Sequence, residues 1–347
     1  MQREVVVVTG AGGFIGGHLV AELLRRGARN LRAVDRKPLD DWHQVHDGVD
    51  NRVADLNRRE ACEAVCEGAD QVYQLAADMG GMGFIETHKA DCMLSVLINT
   101  HMLTAARDAG VERFFYASSA CVYNAEKQSD ARVTALREAD AYPALPEDGY
   151  GWEKLFSERM CRHFREDYGL ETRIARYHNV YGPLGTWEGG REKAPAAICR
   201  KVVEAVLSGE HTIEIWGNGE QTRSFMYIDD CVEGTLRIAE SQVHEPLNLG
   251  SSELVSVNQL VSLVEEIAGI TLTRFYAPDA PIGVAGRNSD NTRIQAELGW
   301  APSIALREGM EKTYKWVYDA YLRRYAGKLG PREAAPRGAH VKAPSAS

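Results

Sequence analysis

The feature that most constrains this chain is a glycine-rich turn set between a strand-like run and a helix-like run at its start. Glu4 to Thr9 is a continuous apolar, β-branched stretch, as expected of a short parallel strand buried on both faces. Gly10, Gly13 and Gly16 follow at once, and Leu19, Leu23 and Leu24 then recur at helical spacing. A tight glycine turn lets backbone approach a pyrophosphate closely, and the helix behind it offers free N–H groups and a positive dipole end. Gly10, Gly13, Phe14, Ile15 and Gly16 are therefore expected to hold a dinucleotide. A second strand, Leu31 to Val34, ends at Asp35, nineteen residues after the last glycine. A carboxylate there can accept both ribose hydroxyls and repels a 2′-phosphate, which favours NAD. Arg36 and Lys37 follow it and could hold a phosphate. Asp55, after the strand-like Arg52 to Ala54, is a candidate partner for the adenine amino group.

Strand-like and helix-like runs alternate through the first half: Gln71 to Leu75, a helix from about Asp91 to Gly110, then Arg113 to Ala117. A helix from about Tyr150 to Tyr168 and a strand from Thr172 to Tyr177 continue the rhythm. The expected fold is α/β, a doubly wound parallel sheet of Rossmann type with a smaller C-terminal substrate-binding lobe. The NAD-binding domain is placed at 1–181, with 228–252 returning to it. The lobe spans 182–326, mainly 182–227 and 253–326. Residues 327–347, rich in Pro, Ala, Gly and Ser, are expected to be a disordered tail.

The 347 residues suffice for a large core, and a formal charge of −9 argues against nucleic acid as a partner. No apolar run approaches membrane-spanning length, so neither a transmembrane nor a signal segment is expected. Seven scattered cysteines suit a reducing cytoplasm. Cys62 and Cys66 lie one helical turn apart, but no second pair completes a metal site, and none is expected.

Tyr150 and Lys154 are four residues apart, one helical turn, so phenol and ammonium share a face. A neighbouring cation favours the phenolate of a group whose free pKa is about 10. Ser119 could hydrogen-bond the same oxygen. With a dinucleotide bound, such a trio can take a proton from a sugar hydroxyl while the nicotinamide takes the hydride. Cys121 lies two residues beyond Ser119, so on an extended segment it points the same way.

These motifs, with Tyr181-Gly182-Pro183 and Gln221 to Phe225, resemble the extended short-chain dehydrogenase/reductases, the NAD-dependent epimerase/dehydratase family acting on nucleotide sugars. Four stretches resemble its GDP-mannose 3,5-epimerase branch more narrowly: Ala76 to Ile85, Ser118 to Tyr123, Gly185 to Ala197 and Gly286 to Asn291. The similarity covers roughly residues 3 to 320. It departs at Asn124, where the family usually has proline, and across Leu39 to Asn51, which has no clear match.

The resemblance implies tightly held NAD, a GDP-mannose substrate and a homodimer packed through two helices of each subunit. It implies that Cys121 occupies the position of a proton-abstracting group and that Lys193 delivers a proton from the opposite ring face. It also implies substrate contacts at Gly80, Gly81, Met82, Ser119, Asn179, Glu192, Lys193, Lys201, Arg223 and Arg287. Arg223 and Arg287 are the expected diphosphate clamp, since guanidinium forks match phosphate oxygens in pairs. The chemistry is coherent: oxidising carbon 4 to a ketone acidifies the protons on carbons 3 and 5, which an acid/base pair can then exchange. A related 4,6-dehydratase or 4-epimerase is one alternative, although Ala120-Cys121 offers no carboxylate pair after the serine. A non-catalytic NAD-binding sensor is another, although such sensors commonly lose the tyrosine or lysine.

Overall fold

The computed structural model describes residues 4–326; the tail at 327–347 lies outside the described residues. The first half runs β1 (Val5–Thr9), α1 (Phe14–Arg25), β2 (Asn30–Asp35), β3 (Asp50–Val53), α2 (Arg59–Cys66), β4 (Gln71–Gln74), α3 (Met82–Thr87), α4 (Lys89–Asp108), β5 (Arg113–Ser119), α5 (Tyr150–Tyr168), β6 (Glu171–Tyr177) and β7 (Asn179–Tyr181). It continues through α6 (Ala194–Ser208), β8 (Thr212–Trp216), β9 (Thr222–Tyr227), α7 (Ile228–Glu240), β10 (Leu247–Leu249), β11 (Leu254–Ser256), α8 (Val257–Ala268), β12 (Thr273–Ala277), β13 (Gly286–Arg287), α9 (Thr292–Leu298) and α10 (Leu306–Tyr325).

Seven strands form one parallel sheet in the order β10-β6-β5-β4-β1-β2-β3. Strand β1, paired on both sides, shows why the sequence reads as unbroken apolar residues. Val6 and Val8 face one core and Val7 faces the other, all three buried. Helices α1 and α7 pack together, while α4 packs against α2 and α5. The chain leaves β1 toward β2 and β3, then returns to the other side for β4, β5 and β6. The order therefore reverses between β1 and β4, and ligands of such sheets bind in the crevice at the carboxyl ends of strands flanking that reversal. Thr9, Asp35, Gln74 and Ser119 end four neighbouring strands there.

A second sheet carries the order β11-β9-β13, with β7 also paired to β9, and β12 and β8 form a separate parallel pair. Arg287 of β13 stands opposite Arg223 of β9 in the register. Two arginines 64 positions apart in sequence are thereby neighbours. Helix α6 packs against α8 and α10 beside these strands. Among the described residues no helix is long and apolar enough to cross a membrane.

Candidate active site

The glycine turn is built as tightly as its sequence suggests. Gly10 has φ +69°, and its carbonyl accepts the Gly13 N–H at 3.0 Å. A Cβ on Gly16 would lie 2.2 Å from the Gly10 oxygen, so only glycine fits there. Gly13 caps α1 without a side-chain hydrogen bond, and the first-turn N–H groups of a helix have no partner within it. Phe14 lies under Gly182 and Gly185, while Ile15 packs on the core.

Asp35 ends β2 and accepts the Lys37 N–H at 3.0 Å. The two cations that could have held a 2′-phosphate are committed elsewhere. Arg36 pairs with Asp78 at 2.9 Å, and Lys37 Nζ donates to the Gly12 carbonyl at 2.6 Å. This cradle fits a dinucleotide without a 2′-phosphate. Asp55 is exposed and accepts from the N–H and side chain of Asn57. The unmatched segment after Leu39 folds onto the turn: the Trp42 ring stands 2.6 Å from where a Gly12 Cβ would be. The His43 N–H donates to the Gly12 carbonyl.

Tyr150 opens α5 and is buried, with Lys154 one turn on. Gly149, at φ +78°, supplies the cap of this helix. Gly151 must be glycine because a Cβ there would meet the Cys121 carbonyl at 2.3 Å. Lys154 Nζ donates to the Ala117 carbonyl at 3.1 Å and lies 5.5 Å from the Tyr150 ring centroid. The expected phenolate is not favoured in this arrangement. Burial drives the Tyr150 phenol well above its ordinary range, helped by Cys121 and Glu153, and only the hydrogen bond from Ser119 pulls the other way. The lysine serves a backbone carbonyl, and desolvation outweighs its charge.

The segment carrying Cys121 is not extended. Strand β5 stops at Ser119, whose Oγ accepts the Cys121 N–H at 3.2 Å and turns the chain into a 3-10 turn over Ala120–Val122. Cys121 still reaches the site, because it packs with Tyr150, Phe84 and Ile85. Burial, with the charge of Glu147 second, pushes its thiol up to about 11, against the pull of Arg287. Lys193 caps α6, half-buried, and burial lowers its pKa while Cys121 partly restores it. Cys121 and Lys193 are thus electrostatic neighbours although 72 positions apart.

Arg287 is buried, donating to Gln128 Oε1 at 2.7 Å and reaching Cys121 Sγ at 3.6 Å while pairing with Glu147. Arg223 donates to the carbonyls of Thr222, Ile282 and Val284. Burial and the Arg287 charge lower its pKa to about 10. Gly80 is buried against the Phe84 and Arg191 side chains, and Gly81 lies beneath the 191–192 backbone, where a Cβ would stand 2.6 Å from the Glu192 carbonyl. Met82 packs against Gly283. Asn179 donates to the Ser224 carbonyl at 3.0 Å. Glu192 accepts from Gly190 and Arg200. Lys201 faces Glu214 on β8, donating to its carbonyl at 2.8 Å.

Sequence reasoning missed Glu147 and Gln128, which with Cys121 are the partners of Arg287. A carboxylate three residues ahead of Tyr150 was the available signal for Glu147. Gln128 had none, because its role exists only once β13 is in place. Cys62 and Cys66 both lie in the core, and among the described residues no acid, histidine or cysteine cluster is arranged to hold a metal.

A model of the NAD dependent epimerase/dehydratase family matches residues 6–250. The chain belongs to that family. A GDP-mannose 3,5-epimerase of Arabidopsis thaliana is 46% identical over 321 residues, covering 90% of this chain and 81% of that protein. Among solved structures, MoeE5 in complex with UDP-glucose and NAD is 32% identical with TM-score 0.75, covering 91% of this chain and 99% of that one. The UDP-glucose 4-epimerase of Thermotoga maritima with UDP-glucose is 26% identical with TM-score 0.81, at 91% and 99% coverage. The family is NAD dependent, and the glycine turn, Asp35 and the committed Arg36 and Lys37 fit that cofactor.

Proposed function

We propose that the chain is a GDP-mannose 3,5-epimerase that uses NAD and inverts carbons 3 and 5 of the sugar through a transient 4-ketone. The observations carrying this reading are the packing of Cys121 against Tyr150 and the charge coupling of Lys193 to Cys121, in a chain 46% identical to an enzyme of that name over 90% of its length.

When bound, NAD would supply reversible hydride acceptance from carbon 4, held by the Gly10 to Gly16 turn and Asp35. Tyr150, held by Ser119, takes the proton from the carbon 4 hydroxyl and later returns it. Taking that proton requires the phenolate, so positive charge, Lys154 being the nearby cation, has to offset the burial that favours the neutral phenol. The ketone acidifies the carbon 3 and carbon 5 protons, and Cys121 and Lys193 exchange them, one removing and the other delivering at opposite faces. In one exchange Cys121 as thiolate takes a proton and Lys193 as ammonium gives one, leaving the thiol and amine that burial favours, and the other exchange runs the pair in reverse. Arg223 and Arg287, though already bonded to carbonyls and to Gln128, Cys121 and Glu147, supply positive charge toward the diphosphate, and Asn179, Glu192, Lys201 and the Gly80 to Met82 backbone frame the nucleotide sugar.

The same reading divides the chain into an NAD-binding domain at 1–181 with 228–252 and a substrate lobe formed by the rest of 182–326. It also makes the protein a homodimer. Met93, Leu94 and Leu97 of α4 and Trp152 and Phe156 of α5 are exposed on adjacent helices, an apolar surface suited to a second copy. The test is incubation with GDP-mannose in heavy water, followed by product stereochemistry. Deuterium should enter at carbons 3 and 5, and both Cys121→Ala and Lys193→Ala should abolish it. Recovery of unlabelled GDP-mannose would end the proposal.

A further inference from the structure

Glu147 sits in the Leu145 to Gly149 run that leads into α5, and its N–H donates to the Cys121 carbonyl at 3.0 Å. Its side chain is 11% exposed. One carboxylate oxygen pairs with Arg287 Nη2, while Arg287 Nη1 faces Cys121 Sγ at 3.6 Å. A single guanidinium therefore bridges carboxylate and thiol. The second oxygen, Oε2, is buried and makes no hydrogen bond. A purely structural arginine–carboxylate pair would be expected to close bidentately and use it. Here the fork is shared with sulfur instead, and the thiol is the titratable neighbour coupled to that carboxylate.

We propose that Glu147 is a positioning residue for Cys121, offering the acceptor toward which the thiol hydrogen points and holding the cysteine protonated between exchanges. This rests on the epimerase reading for its purpose but not for its geometry. Two states follow: as a thiol, Cys121 faces the Glu147 carboxylate, and as a thiolate it faces the Arg287 guanidinium. The groups around the sulfur come from five elements. They are Glu147 before α5, Arg287 of β13 with Arg223 of β9 beside it, Tyr150 of α5, Lys193 at the head of α6 and Ser119 at the end of β5. Glu147 is the carboxylate in this set, and its charge opposes thiolate formation while Arg287 favours it.

The test is the alkylation of Cys121 by iodoacetamide in the full-length protein, resolved from the other six cysteines by peptide mass spectrometry. Below the thiol pKa the rate follows the thiolate fraction, so one unit of pKa is tenfold in rate. Glu147→Gln keeps the shape and removes the charge, and it should raise the rate at pH 8 about tenfold and move the cysteine limb of the pH–rate profile down about one unit. Glu147→Asp keeps the charge and should stay within about threefold of the parent; it also controls for folding. Equal alkylation rates in the parent and Glu147→Gln would overturn the proposal. Alkylation needs no substrate, so this failure is distinct from a failure to epimerise GDP-mannose.

Discussion

Replacing Arg287 by methionine should damage stability and do so in a pH-dependent way. Arg287 is 4% exposed and Glu147 11% at its side chain, so the substitution leaves a nearly buried carboxylate without its cation. Breaking one half of a buried pair costs about 3–5 kcal/mol, roughly a hundredfold to several-thousandfold in the unfolding constant. The sign with pH follows from the Glu147 carboxyl. Burial opposes its ionisation, but Arg287 and its hydrogen bonds prevail and hold its pKa below the usual carboxylate value. A lowered folded pKa contributes stability above the unfolded value of about 4.3 and loses it as pH falls through the folded value. Without Arg287, burial outweighs what remains, the Cys121 hydrogen bond and the Arg223 charge, and raises the folded pKa, so stability is lost as pH rises. The gap between parent and Arg287→Met should therefore be widest near pH 7 and narrow toward pH 4. Urea unfolding of both proteins at the two pH values measures it. The double variant Arg287→Met/Glu147→Gln removes the stranded charge and should recover more than about 2 kcal/mol at pH 7. A single-variant cost under about 1 kcal/mol, or one independent of pH, would refute the reasoning.

Tyr150→Phe should cut turnover about 10²–10⁴-fold while leaving thermal stability and bound NAD unchanged, since the phenol oxygen contributes chemistry and one hydrogen bond to Ser119. Gly16→Ala should yield protein that purifies without NAD, because its Cβ would overlap the Gly10 carbonyl at 2.2 Å; normal cofactor content by absorbance would contradict this. Leu94→Glu/Phe156→Glu should convert a dimer to a monomer in light scattering, since both side chains are about half exposed on the α4/α5 face, at 54% and 49%. An unchanged mass would place the interface elsewhere.

Much of the site was legible because it is encoded locally. A strand buried on both faces, a turn that only glycine can make and a helix behind it are properties of adjacent residues. So is the single-turn spacing of Tyr150 and Lys154, and α5 occupies the expected span. Cys121 was placed near Ser119 for the wrong reason. The Ser119 hydroxyl, by accepting the Cys121 N–H, ends the strand and makes a turn that periodicity does not announce. Arg36 and Lys37 left the cofactor choice open in sequence, and the answer came from Asp78 and the Gly12 carbonyl, which occupy them in the fold.

By itself, then, the sequence determined the glycine turn of the NAD site, the parallel sheet and the residue types proposed to exchange protons with a sugar. Only the tertiary structure decided their protonation. Glu147 and Arg287 are 140 positions apart, and Lys193 is coupled to the charge of Cys121 across 72. A pKa depends on desolvation and on charges a few ångströms away, and neither exists until distant segments have packed around the group. Residue type and the family resemblance propose the acid and the base; burial sets the form in which each one waits.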